Sequence, residues 1–200
     1  MDDRLVAWGR AVKARRRSPM PPLWLFSDPA RMGDVMAAVR ALPAGLCGVV
    51  FRHDGVRGRA ALLQEVARLC RDRRLVLVVA GAAPLPAGAK RHLREGRGAS
   101  GLTSSAHGRA GLVRARRAGV RLAFLSPAFP TASHPGAPAL GPVRWAACAR
   151  GAGVAVAALG GIDGRSVRRL PRSLVAVGAI GALLGEGCHL SATVFHDCHG

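Results

Sequence analysis

Val154-Ala155-Val156-Ala157-Ala158-Leu159-Gly160-Gly161-Ile162-Asp163 decides how this chain is read. Its apolar run suits a strand buried on both faces. The paired glycines at its end let a backbone come close to an anion. The short helix expected next, Ser166 to Leu170, would aim its N–H groups at the same spot. The last apolar run, Leu174 to Ile180, ends alike, in Val177-Gly178-Ala179-Ile180-Gly181.

Upstream the same alternation repeats. Strands are expected at Leu23 to Asp28, Gly45 to Arg52, Leu75 to Ala80, Gly101 to Ser105 and Leu122 to Phe129. Helices are expected at Ala30 to Leu42, with Asp28 as a possible cap, at Arg57 to Arg73, at Gly108 to Ala118 and at Val143 to Gly151. In the second of these, Leu62, Leu63, Val66, Leu69 and Cys70 recur at helical spacing. Between Ala82 and Gly98 the pattern weakens, because Pro84 and Pro86 stand too close for a helix interior. A fourth strand is placed around His92 and Leu93. Strands alternating with helices imply parallel pairing through right-handed crossovers. Eight such units favour a single (β/α)8 TIM barrel, α/β in class, over a doubly wound sheet, with its third-to-fourth strand region eroded. Residues 1–20 fall outside the repeat and read as a basic N-terminal extension, a helix across the barrel floor.

The 200 residues carry a net charge of +19, yet only Lys13 and Lys90 among the 30 basic residues are lysine. Arginines are spread over every expected helix. With no Tyr, three Trp and five Phe, platforms for base stacking are sparse. A basic surface that attracts small anions is favoured over a nucleic-acid partner. No apolar run is long enough to span a membrane, and no signal-type stretch precedes Arg15-Arg16-Arg17; a cytoplasmic protein is expected. Five cysteines without a CxxC pair read as reduced thiols, with Cys47 and Cys70 in the core. The sequence leaves the oligomeric state open.

A second loop bears on chemistry: Ser126-Pro127-Ala128-Phe129-Pro130-Thr131-Ala132-Ser133-His134. It supplies hydroxyl donors at Thr131 and Ser133 and a titratable group at His134. In (β/α)8 barrels the loops after the last strands often bind phosphate. A phosphate site is therefore expected from Thr131, Ser133, Gly160, Gly161, Gly178 and Ala179.

Together these segments resemble the thiamine phosphate synthases and their thiazole tautomerase relatives. The family's G-P-x-F-x-T-x-T-K is matched by Ser126 to His134, its A-x-G-G-I by Ala158 to Ile162, and its V-S-A-I by Val177 to Ile180. Its S-x-H is matched by Ser105-Ala106-His107. The resemblance implies a barrel domain over residues 21–187. It also implies a transferase that joins a hydroxymethylpyrimidine pyrophosphate to a thiazole phosphate, with Mg²⁺ on the leaving pyrophosphate. Arg52 and Ser105 become candidate catalytic residues, and Arg52, His107 and His134 candidate substrate contacts. The departures lie in the first half. The family's Q-x-R-x-K falls on Val50-Phe51-Arg52-His53-Asp54, keeping only Arg52, and its two metal carboxylates fall on Gly81 and Arg97. No protein-held metal is therefore expected; the other reading is that Asp54 or Glu95 replaces the missing acids. The alternative is a non-catalytic or altered-function barrel binding a small phosphorylated ligand. Cys188-His189 and His196-Asp197-Cys198-His199 match no standard zinc spacing, so residues 188–200 read as a tail.

Overall fold

Two aromatic side chains on the first strand set how the barrel is built. A computed structural model describes residues 1–16, 18–131, 136 and 138–185. The strands are β1 (Leu23–Phe26), β2 (Cys47–Phe51), β3 (Val76–Val79), β4 (Lys90–Leu93), β5 (Thr103–Ala106), β6 (Leu122–Leu125), β7 (Ala155–Leu159) and β8 (Val177–Ala179). They pair in chain order, all parallel, and β8 returns to β1, so the sheet has no edge. The expected closed barrel is what forms.

Side chains alternate between barrel interior and outer face along each strand. Trp24 and Phe26 point inward and meet Phe124 edge-on, at centroid distances of 5.7 Å and 4.8 Å. So narrow an interior accepts them because the neighbouring strands are bare at the same level. A Cβ on Gly48 would lie 2.5 Å from the Trp24 ring, and one on Gly178 would lie 2.6 Å from the Phe26 ring. Large against small fills the lumen without voids. The alternate residues, among them Leu25, Val49, Phe51 and Val79, face the helices in a second apolar layer.

That outer layer is covered by α1 (Asp3–Arg15), α2 (Val35–Ala41), α3 (Arg59–Asp72), α4 (Arg109–Arg117) and α5 (Gly141–Ala149). A 3-10 turn, Ser166–Arg169, links β7 to β8. No helix lies between β3 and β4 or between β4 and β5. This agrees with the weak pattern around Pro84 and Pro86. In the second connection Glu95 and Gly96 both adopt positive φ (52° and 69°) and the Arg97 N–H donates to the Arg94 carbonyl at 2.9 Å, closing a tight turn. The turn folds outward onto α4, where Gly96 abuts the backbone at Arg114 and Ala115. Gly98 and Gly101 cover the outward side chain of Leu93.

Two expectations need correction. Helix α2 is capped by Asp34, whose carboxylate accepts the N–H groups of Met36 and Ala37, and not by Asp28. Asp28 instead accepts the Ala30 N–H in a turn and pairs with Arg52. Nor does the N-terminal segment cross the floor. The Asp2 N–H donates to the Ala182 carbonyl at 2.8 Å beyond β8, whereas Lys13 donates to the Gly45 carbonyl and Arg16 to that of Ser173, below β2 and β8. Helix α1 thus runs the full height of the barrel in the outer ring. Leu5, Val6 and Val12 are buried there, and Gly9 lies against Leu23.

The Asp2 carboxylate caps α1 through the N–H groups of Arg4 and Leu5 and also accepts the Gly164 N–H at 2.7 Å. Asp2→Ala is expected to lower unfolding free energy by about 1–2 kcal/mol. Denaturant titration measures it, and an unchanged midpoint would refute the clamp. Cys47 and Cys70 are buried free thiols, and burial pushes each thiol pKa up to about 12. Ser133, His134 and the tail from Cys188 to His199 lie outside the described residues.

Candidate functional site at the barrel mouth

The C-terminal ends of the strands bring the titratable residues to one rim. On the β1–β2 side, Arg52 continues the inward alternation of Val50, and its guanidinium lies 5.3 Å from the centroid of the Phe26 ring, roofing the lumen. It is fixed by the Ser27 carbonyl (3.3 Å) and by Asp28 (3.8 Å). Burial lowers its pKa, with Asp28 opposing and Arg94 adding repulsion. The Ser27 hydroxyl accepts the Arg52 backbone N–H at 2.9 Å and also meets His53 Nδ1 at 2.9 Å. Burial lowers the His53 pKa, opposed by Asp28, and its ring stacks on Phe51 at 4.8 Å.

Asp54 completes this side. Its carboxylate binds Arg59 at 3.1 Å and Arg94 at 2.7 Å. Arg59 also donates to the Ala80 carbonyl at 2.8 Å and lies 5.4 Å from the Phe51 centroid. Glu95 is equally committed: its two oxygens bind His107 and Arg114. The Ser105 hydroxyl, on the inward face at the top of β5, accepts the Glu95 N–H at 3.3 Å. Below them His92 is buried inside the barrel, where Nδ1 meets the Thr103 hydroxyl at 2.8 Å and burial lowers its pKa to about 3.

On the opposite side the loop after β6 is stitched to the end of β7. The Ala128 N–H donates to the Leu159 carbonyl at 2.8 Å and the Phe129 N–H to that of Gly160 at 3.0 Å. Gly160 and Gly161 have positive φ (92° and 63°), and a Cβ on either would strike Pro127 or Phe129. Only glycine permits so close an approach there. Asp163 accepts the N–H groups of Arg165 and Ser166, and Ser166 donates to the Gly161 carbonyl.

The expected site residues thus divide. Arg52, Ser105, His107, Thr131, Gly160 and Gly161 share the C-terminal rim. Gly178 sits beneath it as the space for the Phe26 ring, and the side chain of Ala179 is buried in the outer layer. The rim position after β8 passes to Ile180 and Gly181. The sequence missed Ser27 and His53, because a serine and a histidine in unrelated loops meet only through the β1–β2 pairing. Arg97 is exposed and pairs with Arg94 across the Glu95–Gly96 turn.

These residues do not fit Mg²⁺. The ion needs several oxygen ligands in a near-octahedral shell. Position 81 is glycine, Asp54 and Glu95 are each held by cationic partners, and no group of three ligating side chains occurs among the described residues. Of two surface clefts, one of about 420 Å³ is lined by Asp2, Asp163 and Arg165 beside the loop after β7, and one of about 640 Å³ is lined by Val143, Ala146 and Leu170.

Comparison with known proteins places this geometry in context. A family model described as thiamine monophosphate synthase matches residues 81–182, which hold β4 to β8. A solved thiamine phosphate pyrophosphorylase from Pyrococcus furiosus superposes with a TM-score of 0.66 at 16% identity, over 82% of this chain and 88% of that one. At that identity the superposition shows a shared fold. No curated protein matches the chain. The matched span is just over half of the 200 residues and contains the rim loops after β4 to β7. The chain belongs to the thiamine monophosphate synthase family.

Proposed function

We propose that the chain acts in thiamine biosynthesis, binding a thiazole phosphate at the mouth and joining it to hydroxymethylpyrimidine pyrophosphate. The observation that carries this reading is the loop after β6 packed onto Gly160–Gly161, which sets Thr131 and the glycine backbone on one rim. Such glycine turns suit the phosphate of the thiazole substrate. Ser133, His134, Gly178 and Ala179 belong to the same sequence motifs.

In the reaction the thiazole nitrogen attacks the pyrimidine methylene carbon. A C–N bond forms, the C–O bond to pyrophosphate breaks, and pyrophosphate leaves with the electron pair. Arg52 faces the developing negative charge, Ser105 and His107 line the rim beside it, and the aromatic floor of Phe26 keeps water from below.

A second reading, a barrel that binds the phosphorylated ligand without turnover, is favoured by the commitment of Asp54 and Glu95 to arginines. A thiamine phosphate formation assay on the purified chain separates the two. Product formation that falls at least about tenfold in Arg52→Gln supports the enzyme, since a charge-assisted contact to the leaving group supplies about that much. Thiazole phosphate binding with no product supports the binder. Failure to bind thiazole phosphate refutes both.

A further inference from the structure

The carboxylate missing from residue 81 has a replacement that the sequence hides. Gly81 has a φ of +83°, and a Cβ built on it would lie 2.8 Å from Asp54 Oδ1. A carboxylate reaching in from the β2 loop thus fills the space into which a side chain at 81 would grow. That carboxylate is already neutralised by Arg59 and Arg94, at 3.1 Å and 2.7 Å. For Mg²⁺ to bind, two guanidiniums would have to leave one carboxylate, and no group of three ligating side chains occurs among the described residues.

The charge balance of this quarter of the rim is positive. Arg52, Arg59 and Arg94 face Asp28 and Asp54, and Arg91 donates to the Gly81 carbonyl, four cations against two anions. Arg59 is spent inward on the Ala80 carbonyl and on Asp54. Arg94 is different: its side chain is 72% exposed, and Asp54 holds only one of its terminal nitrogens. Its remaining donors are free to meet solvent, and its charge opposes that of Arg52. Paired arginine forks of this kind match phosphate oxygens in charge and in planar geometry.

We propose that Asp54, Arg59 and Arg94 form a metal-free anion subsite on the β2–β4 side of the mouth, with Asp54 gathering guanidinium charge in the side-chain space of residue 81 and Arg94, beside Arg52, receiving a diphosphate group. That this diphosphate belongs to the pyrimidine substrate rests on the function proposed above. The subsite itself does not.

The test is calorimetry of inorganic pyrophosphate binding to the whole chain at 0.15 M-type ionic strength, about where exposed charges are well screened. It is run in EDTA and again with Mg²⁺. Binding is expected in EDTA and is not strengthened by Mg²⁺. Arg94→Gln weakens it at least about tenfold, the loss of one charge-assisted fork. Arg117→Gln, an equal loss of charge at the far end of α4, leaves it within about twofold. Thermal melts of both variants confirm the fold. Binding that requires Mg²⁺ overturns the proposal, as does an Arg94→Gln variant that binds no more weakly than Arg117→Gln. Arg94-dependent pyrophosphate binding without thiamine phosphate formation would keep the subsite and refute the reaction. Metal-requiring formation would keep the reaction and refute the subsite.

Discussion

Phe26→Ala is expected to lower unfolding free energy by about 3–5 kcal/mol, the usual loss for a buried aromatic ring. Phe26 joins three strands at once: it contacts Phe124 and His92 edge-on, and it fills the space above Gly178. Gly178→Ala is expected to cost about 1–3 kcal/mol by overpacking, since its Cβ would lie 2.6 Å from that ring. The pair must couple. With the ring gone, the added methyl occupies part of the cavity, so the double variant should lose less than the two single losses combined, by at least about 1 kcal/mol. Denaturant unfolding of the four proteins measures the coupling. Strict additivity would mean that the glycine is there for another reason.

The second large effect is a loss of stability in acid. His92 is held neutral inside the barrel, with a pKa of about 3 against an ordinary 6.5. The unfolded chain therefore takes up a proton near pH 6.5 that the folded chain refuses until about pH 3. Its contribution to stability is complete above the unfolded value and is lost as the pH falls through that window. The slope is up to about 1.4 kcal/mol per pH unit for each proton so excluded. His53, whose pKa is also lowered by burial, adds with the same sign. Unfolding free energies measured from pH 7 to pH 4 should fall steadily. His92→Gln, which keeps a polar partner for Thr103, should flatten the slope by one proton. An identical pH profile in both proteins would show that His92 is not held neutral.

The strand order was legible because each apolar run is bounded by glycine, proline or an arginine-bearing helix, and parallel pairing in chain order follows from that alternation. Even β4, which contains Lys90 and Arg91, could be placed from His92 and Leu93. Helix α1 was legible as a helix but not in its position. Leu5, Val6 and Val12 announce a buried face without saying which surface receives it. Gly178 is ambiguous in sequence for a related reason. A glycine at a strand end reads the same whether an anion or an aromatic ring occupies the space beside it, and only the distance to Phe26 separates the two. Asp54 could be named as a stand-in acid, but its approach to position 81 was out of reach. The two positions are far apart in the chain and meet only because β2 and β3 are paired in register.

Helix α1 has a kinetic consequence. Its apolar face is synthesised first, yet much of its seat is made last: Ala182 and Leu183 follow β8, and the loop at Gly164 follows β7. A growing chain therefore carries an amphipathic helix with half its cover still missing until nearly the whole barrel has emerged. Ring closure of this kind has a long loop to pay before any contact rewards it, which slows folding and lengthens the interval in which the helix can find a wrong partner.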